Sequence, residues 1–196
     1  MISPGLQDML SKYDELFQGG LGTFKDYEAR IEVDPGAAPH FCKACTAPYA
    51  MREKVEEELD RLVAEGTLES VDYSDWAAPI VAVMKSDRKS VPICGDFRMT
   101  INPVSKLNRY PIPKTEDFFA MLKRGKVFTK LDLSQAYLQL KLEEESRKYV
   151  VVNTHKGLFR YTRLPYGISS APGIFQKAME QLLLGIPHVT VYIDDI

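Results

Sequence analysis

The spacing of apolar residues divides this chain into helical and extended stretches before any chemistry is considered. Leu6, Met9, Leu10, Tyr13, Leu16 and Phe17 recur at helical spacing, and Gly19-Gly20 closes that stretch. Residues 21–51 are punctuated by proline and glycine and predict extended, loop-rich chain. Val55, Leu59, Leu62 and Val63 form the stripe of a second amphipathic helix closed by Gly66. Two short apolar runs, Pro79 to Met84 and Val91 to Cys94, predict a β-hairpin around the basic stretch 85–90. Thr115 can cap a short helix through Leu122, ended by Gly125. Val127 to Leu133 alternates as a strand, with Leu131 and Leu133 on one face and Asp132 on the other.

The remainder follows the same rules. Tyr149 to Val152 and Leu158 to Tyr161 flank His155-Lys-Gly157 as another hairpin. Ser170-Ala-Pro172 opens a helix whose buried stripe is Ile174, Phe175, Ala178, Met179, Leu182 and Leu183. Gly185 and Pro187 end it. Val189, Val191 and Ile193 give a final strand one apolar face, with Thr190, Tyr192 and Asp194 on the other. The pattern predicts an α+β protein with helices packed on a small antiparallel sheet.

The composition is that of an ordinary globular chain, with 45% hydrophobic and 27% charged residues over 196 positions. No apolar run reaches the length of a membrane span, and the first residues lack a secretory pattern. The expectation is an intracellular protein, not secreted and without a membrane partner. The odd set Cys42, Cys45 and Cys94 makes no disulfide framework and a poor zinc site. Charge changes the picture more. Residues 1–84 carry 7 Lys and Arg against 16 Asp and Glu; residues 85–130 carry 11 against 4; residues 131–196 carry 7 against 7. A basic middle segment in an acidic protein points to a face that meets a polyanion, or to a solvated basic face with no partner.

Three acids sit where acids are costly. Asp132 interrupts the apolar run F-T-K-L-D-L, and Asp194-Asp195 end another. Adjacent carboxylates repel unless a cation neutralises them, and Mg²⁺ suits one or two carboxylates with water and phosphate completing the octahedron. Were the two segments neighbours, the acids could hold two ions for in-line phosphoryl transfer. Taken singly, an Asp at a strand end is ordinarily a turn or cap residue.

A series of motifs in order then carries a resemblance. They are L-G-T-F-K (21–25), I-E-V-D-P-G-A-A-P (31–39), Y-A-M-R-E-K-V-E-E-E-L (49–59), W-A-A-P-I-V-A-V-M-K (76–85) and C-G-D-F-R (94–98). N-R-Y-P-I-P (108–113), F-T-K-L-D-L-S-Q-A-Y (128–137), L-P-Y-G-I-S-S-A-P-G-I-F-Q (164–176) and Y-I-D-D (192–195) complete it. The chain resembles the reverse transcriptase of long-terminal-repeat retrotransposons, in particular the Gypsy/Ty3-like group. The resemblance implies a right-hand polymerase fold comprising an N-terminal helix and linker region (1–44), fingers (45–125) and the N-terminal palm (126–196), without a thumb. It implies RNA-directed DNA synthesis from deoxynucleoside triphosphates on a primed RNA or DNA template, with two Mg²⁺ ions, or Mn²⁺ in their place. Asp132 and Asp194 would ligate metal and Asp195 would complete the cluster. Tyr137 would be the sugar gate, Gln135 and Ala136 would face the triphosphate, and Lys85 would reach its γ-phosphate. Tyr166 and Gly167 would lie beneath the nucleotide and template, Arg98 would grip the template, and Tyr192 and Ile193 would meet the template or primer.

The chain departs from the pattern at several places. Pro92 stands where relatives carry a triphosphate-neutralising arginine, Asp87-Arg88 replaces Asp-Gly at the hairpin tip, and Cys45 replaces an arginine. The chain ends at Ile196, where the family continues into a return strand, a thumb and usually ribonuclease H, so the expectation is a fragment whose missing Pol segments would be partners. A cytoplasmic particle or the nucleus is the expected location. Three competing readings are a non-catalytic module that binds nucleic acid through 85–130, a structural remnant that binds nothing, and another two-metal phosphohydrolase.

Overall fold

The computed structural model describes residues 4–45, 48–82, 91–107, 110–122 and 125–196. In chain order the elements are α1 (Pro4–Lys12), β1 (Glu28–Ala29), α2 (Tyr49–Ala64), β2 (Leu68–Val71), β3 (Ala78–Ala82) and β4 (Ile93–Gly95). They continue with α3 (Thr115–Leu122), β5 (Lys141–Leu142), α4 (Glu144–Arg147), β6 (Val151–Thr154), β7 (Gly157–Tyr161) and α5 (Ala171–Leu182).

α2 is the helix its stripe predicts: Val55, Leu59 and Leu62 are buried, and Gly66 at φ +71° ends it while its N–H bonds the Val63 carbonyl. The chain then enters β2, and a five-stranded sheet forms in the order β2-β7-β6-β3-β4. Its neighbours are antiparallel except β3 and β6, which run parallel with Ala78 opposite Val152. The predicted hairpins are both present, as β3–β4 and β6–β7, although the basic tip 83–90 lies outside the described residues. α5 buries Ile174, Phe175, Ala178 and Met179. They join Leu59, Leu68, Phe97, Ile101 and Leu164 in a single core.

Three expectations need correction. The sheet is mixed, because the β6–β7 hairpin slots between β2 and β3, and β6 runs parallel to β3. Strands from both sides of residue 125 share that sheet. Residues 127–133 form no strand; Val127 and Phe128 are exposed, and among the described residues the segment pairs through Leu131 and Leu133 with residues 194–196. Residues 189–194 likewise form an extended segment with a turn rather than a ladder. Alternation alone predicts a strand, but a strand also needs a partner along its length. The N-terminal stripe forms α1 and a 3₁₀ turn at Asp14–Phe17, with Met9, Tyr13, Leu16 and Phe17 turned to solvent.

Candidate active site

The structure brings the three acids together. Leu131 and Ile196 exchange N–H···O bonds of 2.8 and 2.9 Å, and the Leu133 N–H bonds the Asp194 carbonyl at 3.0 Å. Asp132 therefore lies directly opposite Asp195 in an antiparallel bridge, with Asp194 the next residue in the turn. That turn is a tight one: Tyr192 and Asp195 exchange backbone bonds of 2.9 and 3.1 Å around Ile193 and Asp194. Opposed residues across an antiparallel pair present their side chains to the same face, so the register itself gathers carboxylates contributed by distant parts of the chain.

Among the described residues, no three acidic, His or Cys side chains are close enough to enclose an ion by themselves. The donor set is nevertheless all oxygen and exposed at Asp132 and Asp194. This fits a cation such as Mg²⁺, which takes one or two carboxylates and fills its remaining positions with water and substrate phosphate. Lys130 reaches the cluster from the same strand-like segment, its Nζ 2.9 Å from Asp195 Oδ2. The Asp195 carboxylate, by hydrogen bond and charge, raises the Lys130 ammonium above its ordinary range, with smaller contributions from Asp132 and Asp194. A cation is thus already favoured at this point of the surface.

The turn bearing the acids is strained. Ile193 sits at φ +55°, a left-handed conformation that costs a β-branched residue about 1–3 kcal/mol. Gln176 of α5, fully buried, accepts a 2.8 Å bond from the Ile193 N–H and donates a 3.0 Å bond to the Val191 carbonyl. Gln176 ends the motif I-F-Q, and the sequence pattern assigns it no role. A fully polar residue between Phe175 and Ala178 on an apolar face was the signal that could have found it.

The second part of the site is aromatic. The rings of Tyr137 and Tyr166 lie 5.0 Å apart, and Phe175 lies 5.3 Å from Tyr137. Burial, then the Asp194 charge, raises the Tyr137 phenol; the same causes push Tyr166 up to about 12. Gln135 precedes this pair at φ +51°, a second left-handed residue, and turns the chain into the 3₁₀ segment Ala136–Gln139. Ala136 is buried beneath it. Gln135 and Tyr166 also line a 440 Å³ cleft with Pro92, Glu58 and Arg61.

The remaining expected residues fall on adjoining surface. Arg98 is exposed and forked on Asp96 at 2.8 and 2.7 Å. Gly167, at φ +91°, packs against the Gly95 carbonyl, and Asn102 ties this loop by bonding the Gly167 carbonyl at 2.8 Å and the Ser169 N–H at 2.9 Å. Tyr192 is exposed and lines a 480 Å³ apolar cleft with Phe119, Phe128 and Ile196. Lys85 lies outside the described residues.

Paired acids on a tight turn, a neighbouring tyrosine pair and this mixed sheet define a polymerase fingers-and-palm fold. The chain matches the prototype foamy virus protease–reverse transcriptase with a TM-score of 0.85 and 25% identity, over 97% of this chain and 26% of that one. The family model described as reverse transcriptase (RNA-dependent DNA polymerase) matches residues 82–196, and the chain belongs to that family. It is 40% identical over 185 residues to an uncharacterized Caenorhabditis elegans protein, covering 94% of this chain. It is 30% identical over 165 residues to the retrovirus-related Pol polyprotein from transposon 412 of Drosophila melanogaster, covering 81%. The chain spans 14% and 13% of the length of those two relatives.

Proposed function

We propose that this chain is the acid-bearing portion of an RNA-directed DNA polymerase that transfers nucleotides from deoxynucleoside triphosphates to a primer 3′-hydroxyl on an RNA or DNA template. The observation that carries the reading is the backbone register that sets Asp132 opposite Asp195 and beside Asp194. Two Mg²⁺ ions, with Mn²⁺ as substitute, would be held by these acids, activating the 3′-hydroxyl and stabilising the leaving pyrophosphate. The protein's own part is positioning and charge neutralisation. Tyr137, backed by Tyr166 and Phe175, presents a fixed ring where a ribose 2′-hydroxyl would fall. The basic segment 85–130 supplies charge for the template–primer backbone, and Arg98, Gly167 and Asn102 form the adjoining shelf.

The test is primer extension by the chain on an RNA template with Mg²⁺ or Mn²⁺, compared with Asp194→Asn. Extension that requires the ion and vanishes in the variant supports the reading; extension surviving Asp194→Asn would place the chemistry elsewhere. Should extension be absent while duplex binding persists with a steep salt dependence, insensitive to Asp194→Asn, the chain acts as a nucleic-acid-binding module.

A further inference from the structure

We infer that Gln176 is a positioning residue, the inner end of a buried hydrogen-bond chain from Tyr110 through Glu180 that holds Ile193 left-handed and thereby aims Asp194 and Asp195. The inference rests on the reading of those acids as metal ligands, and extends it to a residue that touches neither metal nor substrate.

The polar atoms account for one another completely. The Gln176 side-chain oxygen accepts from the Ile193 N–H at 2.8 Å. Its amide nitrogen donates one hydrogen to the Val191 carbonyl at 3.0 Å and the other to Glu180 Oε1 at 2.8 Å. Exchanging oxygen and nitrogen would set acceptor against acceptor twice and donor against donor once, so one orientation only is compatible with the neighbours. The other Glu180 oxygen accepts from the Tyr110 hydroxyl. Tyr110 belongs to the chain connecting β4 to α3, so the link runs from that connection, through one turn of α5, to Val191 and Ile193 on the leading side of the acid-bearing turn.

Ile193 explains why such a strap is needed. A β-branched residue does not stay left-handed unless its surroundings hold it there, and the Ile193 N–H is the group the strap grips. Were Gln176 only a stabiliser of the core, any well-packed replacement would serve. Were it a positioning residue, its loss would be made good by removing the strain itself, because glycine adopts positive φ freely.

The experiment uses the full chain, with backbone amides followed by NMR and Mn²⁺ alone as the metal probe. In Gln176→Met, which keeps the volume, the Ile193 N–H should exchange at least about tenfold faster while Val152 and Phe159 in the sheet keep their protection. Mn²⁺ affinity, read from broadening at Asp132, Asp194 and Asp195, should weaken about fivefold or more and recover to within about twofold when Ile193→Gly is added. Tyr110→Phe, which leaves the core intact, should speed Ile193 exchange by about threefold. Unchanged Ile193 exchange in Gln176→Met, or Mn²⁺ affinity that Ile193→Gly does not restore, would overturn the inference. If Mn²⁺ broadens none of the three acids in the unaltered chain, the metal reading fails, and the exchange comparison alone decides whether Gln176 fixes the turn.

Discussion

The rings of Tyr137 and Tyr166 lie 5.0 Å apart and tilted by 35°, one from the segment after Asp132 and the other from the loop between β7 and α5. Neither hydroxyl is in an ordinary environment. Burial raises both, and the Asp194 charge opposes a second negative charge beside it. Because the fold favours the neutral phenol, Tyr166 contributes stability that is complete below the ordinary tyrosine range and lost as pH rises toward about 12. Ultraviolet titration should show the Tyr137–Tyr166 pair ionising in a late transition, above the ordinary tyrosine range. Tyr166→Phe should remove part of the late transition and flatten the loss of stability there. An early, single transition would contradict the buried pair.

Tyr137 is also wedged from behind, with Phe175 at 5.3 Å and Phe175 itself held by Phe24 at 5.8 Å. A ring supported on two sides cannot swing away to admit an extra hydroxyl. Tyr137→Ala should therefore raise the use of ribonucleotides relative to deoxynucleotides by about tenfold or more, while Tyr137→Phe, which keeps the ring, should leave the ratio near its starting value. Competitive single-nucleotide incorporation, or nucleotide competition in a binding assay, reads this directly. Equal ratios in all three proteins would remove Tyr137 from the gate.

Gly167 cannot carry a side chain. A Cβ there would lie 2.9 Å from the Gly95 carbonyl oxygen, and its φ of +91° is strained for any other residue. Gly167→Ala should cost about 1–3 kcal/mol in urea unfolding. Asn102→Asp tests the same loop from the other side: the carboxylate can still accept from the Ser169 N–H but cannot donate to the Gly167 carbonyl, so it should cost about 1 kcal/mol. Full stability in both variants would mean the loop is free to move away from Gly95.

These relationships show where sequence reasoning reaches and where it stops. The α2 stripe and the β6–β7 hairpin are legible because each depends on local periodicity and a local turn. β2 is not, because Leu-Glu-Ser-Val has no pattern of its own and becomes a strand only through its register with β7, Leu68 against Tyr161. The stretch 127–133 misleads in the opposite direction, alternating like a strand while, among the described residues, it has no ladder partner along most of its length. The acids are visible as anomalies in apolar runs. Their assembly is a matter of long-range register, and although Gln176 is visible as a polar residue on the apolar face of α5, what it grips shows only once its three partners are placed.

Pro92 offers a gain-of-function test. It lies just before β4, at the wall of the cleft shared by Gln135 and Tyr166, where the resemblance places a triphosphate-neutralising arginine. Arg61 lines the same cleft but is not a ready substitute. Its guanidinium is already gripped by Glu58 at 2.8 and 2.7 Å and by Glu65 at 2.5 Å, and bonding to Glu58 holds it above its ordinary pKa range. Glu58 and Arg61 thus cancel in charge, and a triphosphate entering here meets little positive potential from this wall. Pro92→Arg adds a forked donor outside the β4 ladder, so no strand hydrogen bond is disturbed. A charge-assisted contact of about 1.5–3 kcal/mol would tighten deoxynucleoside triphosphate binding by roughly one to two orders of magnitude. Pro92→Lys should gain less, since a point charge lacks the fork. Isothermal titration with a deoxynucleoside triphosphate and Mg²⁺ decides it: equal affinity in Pro92→Arg and the unaltered chain would mean the triphosphate does not lie along this wall, and the nucleotide would have to enter from the Arg98 side of Tyr166.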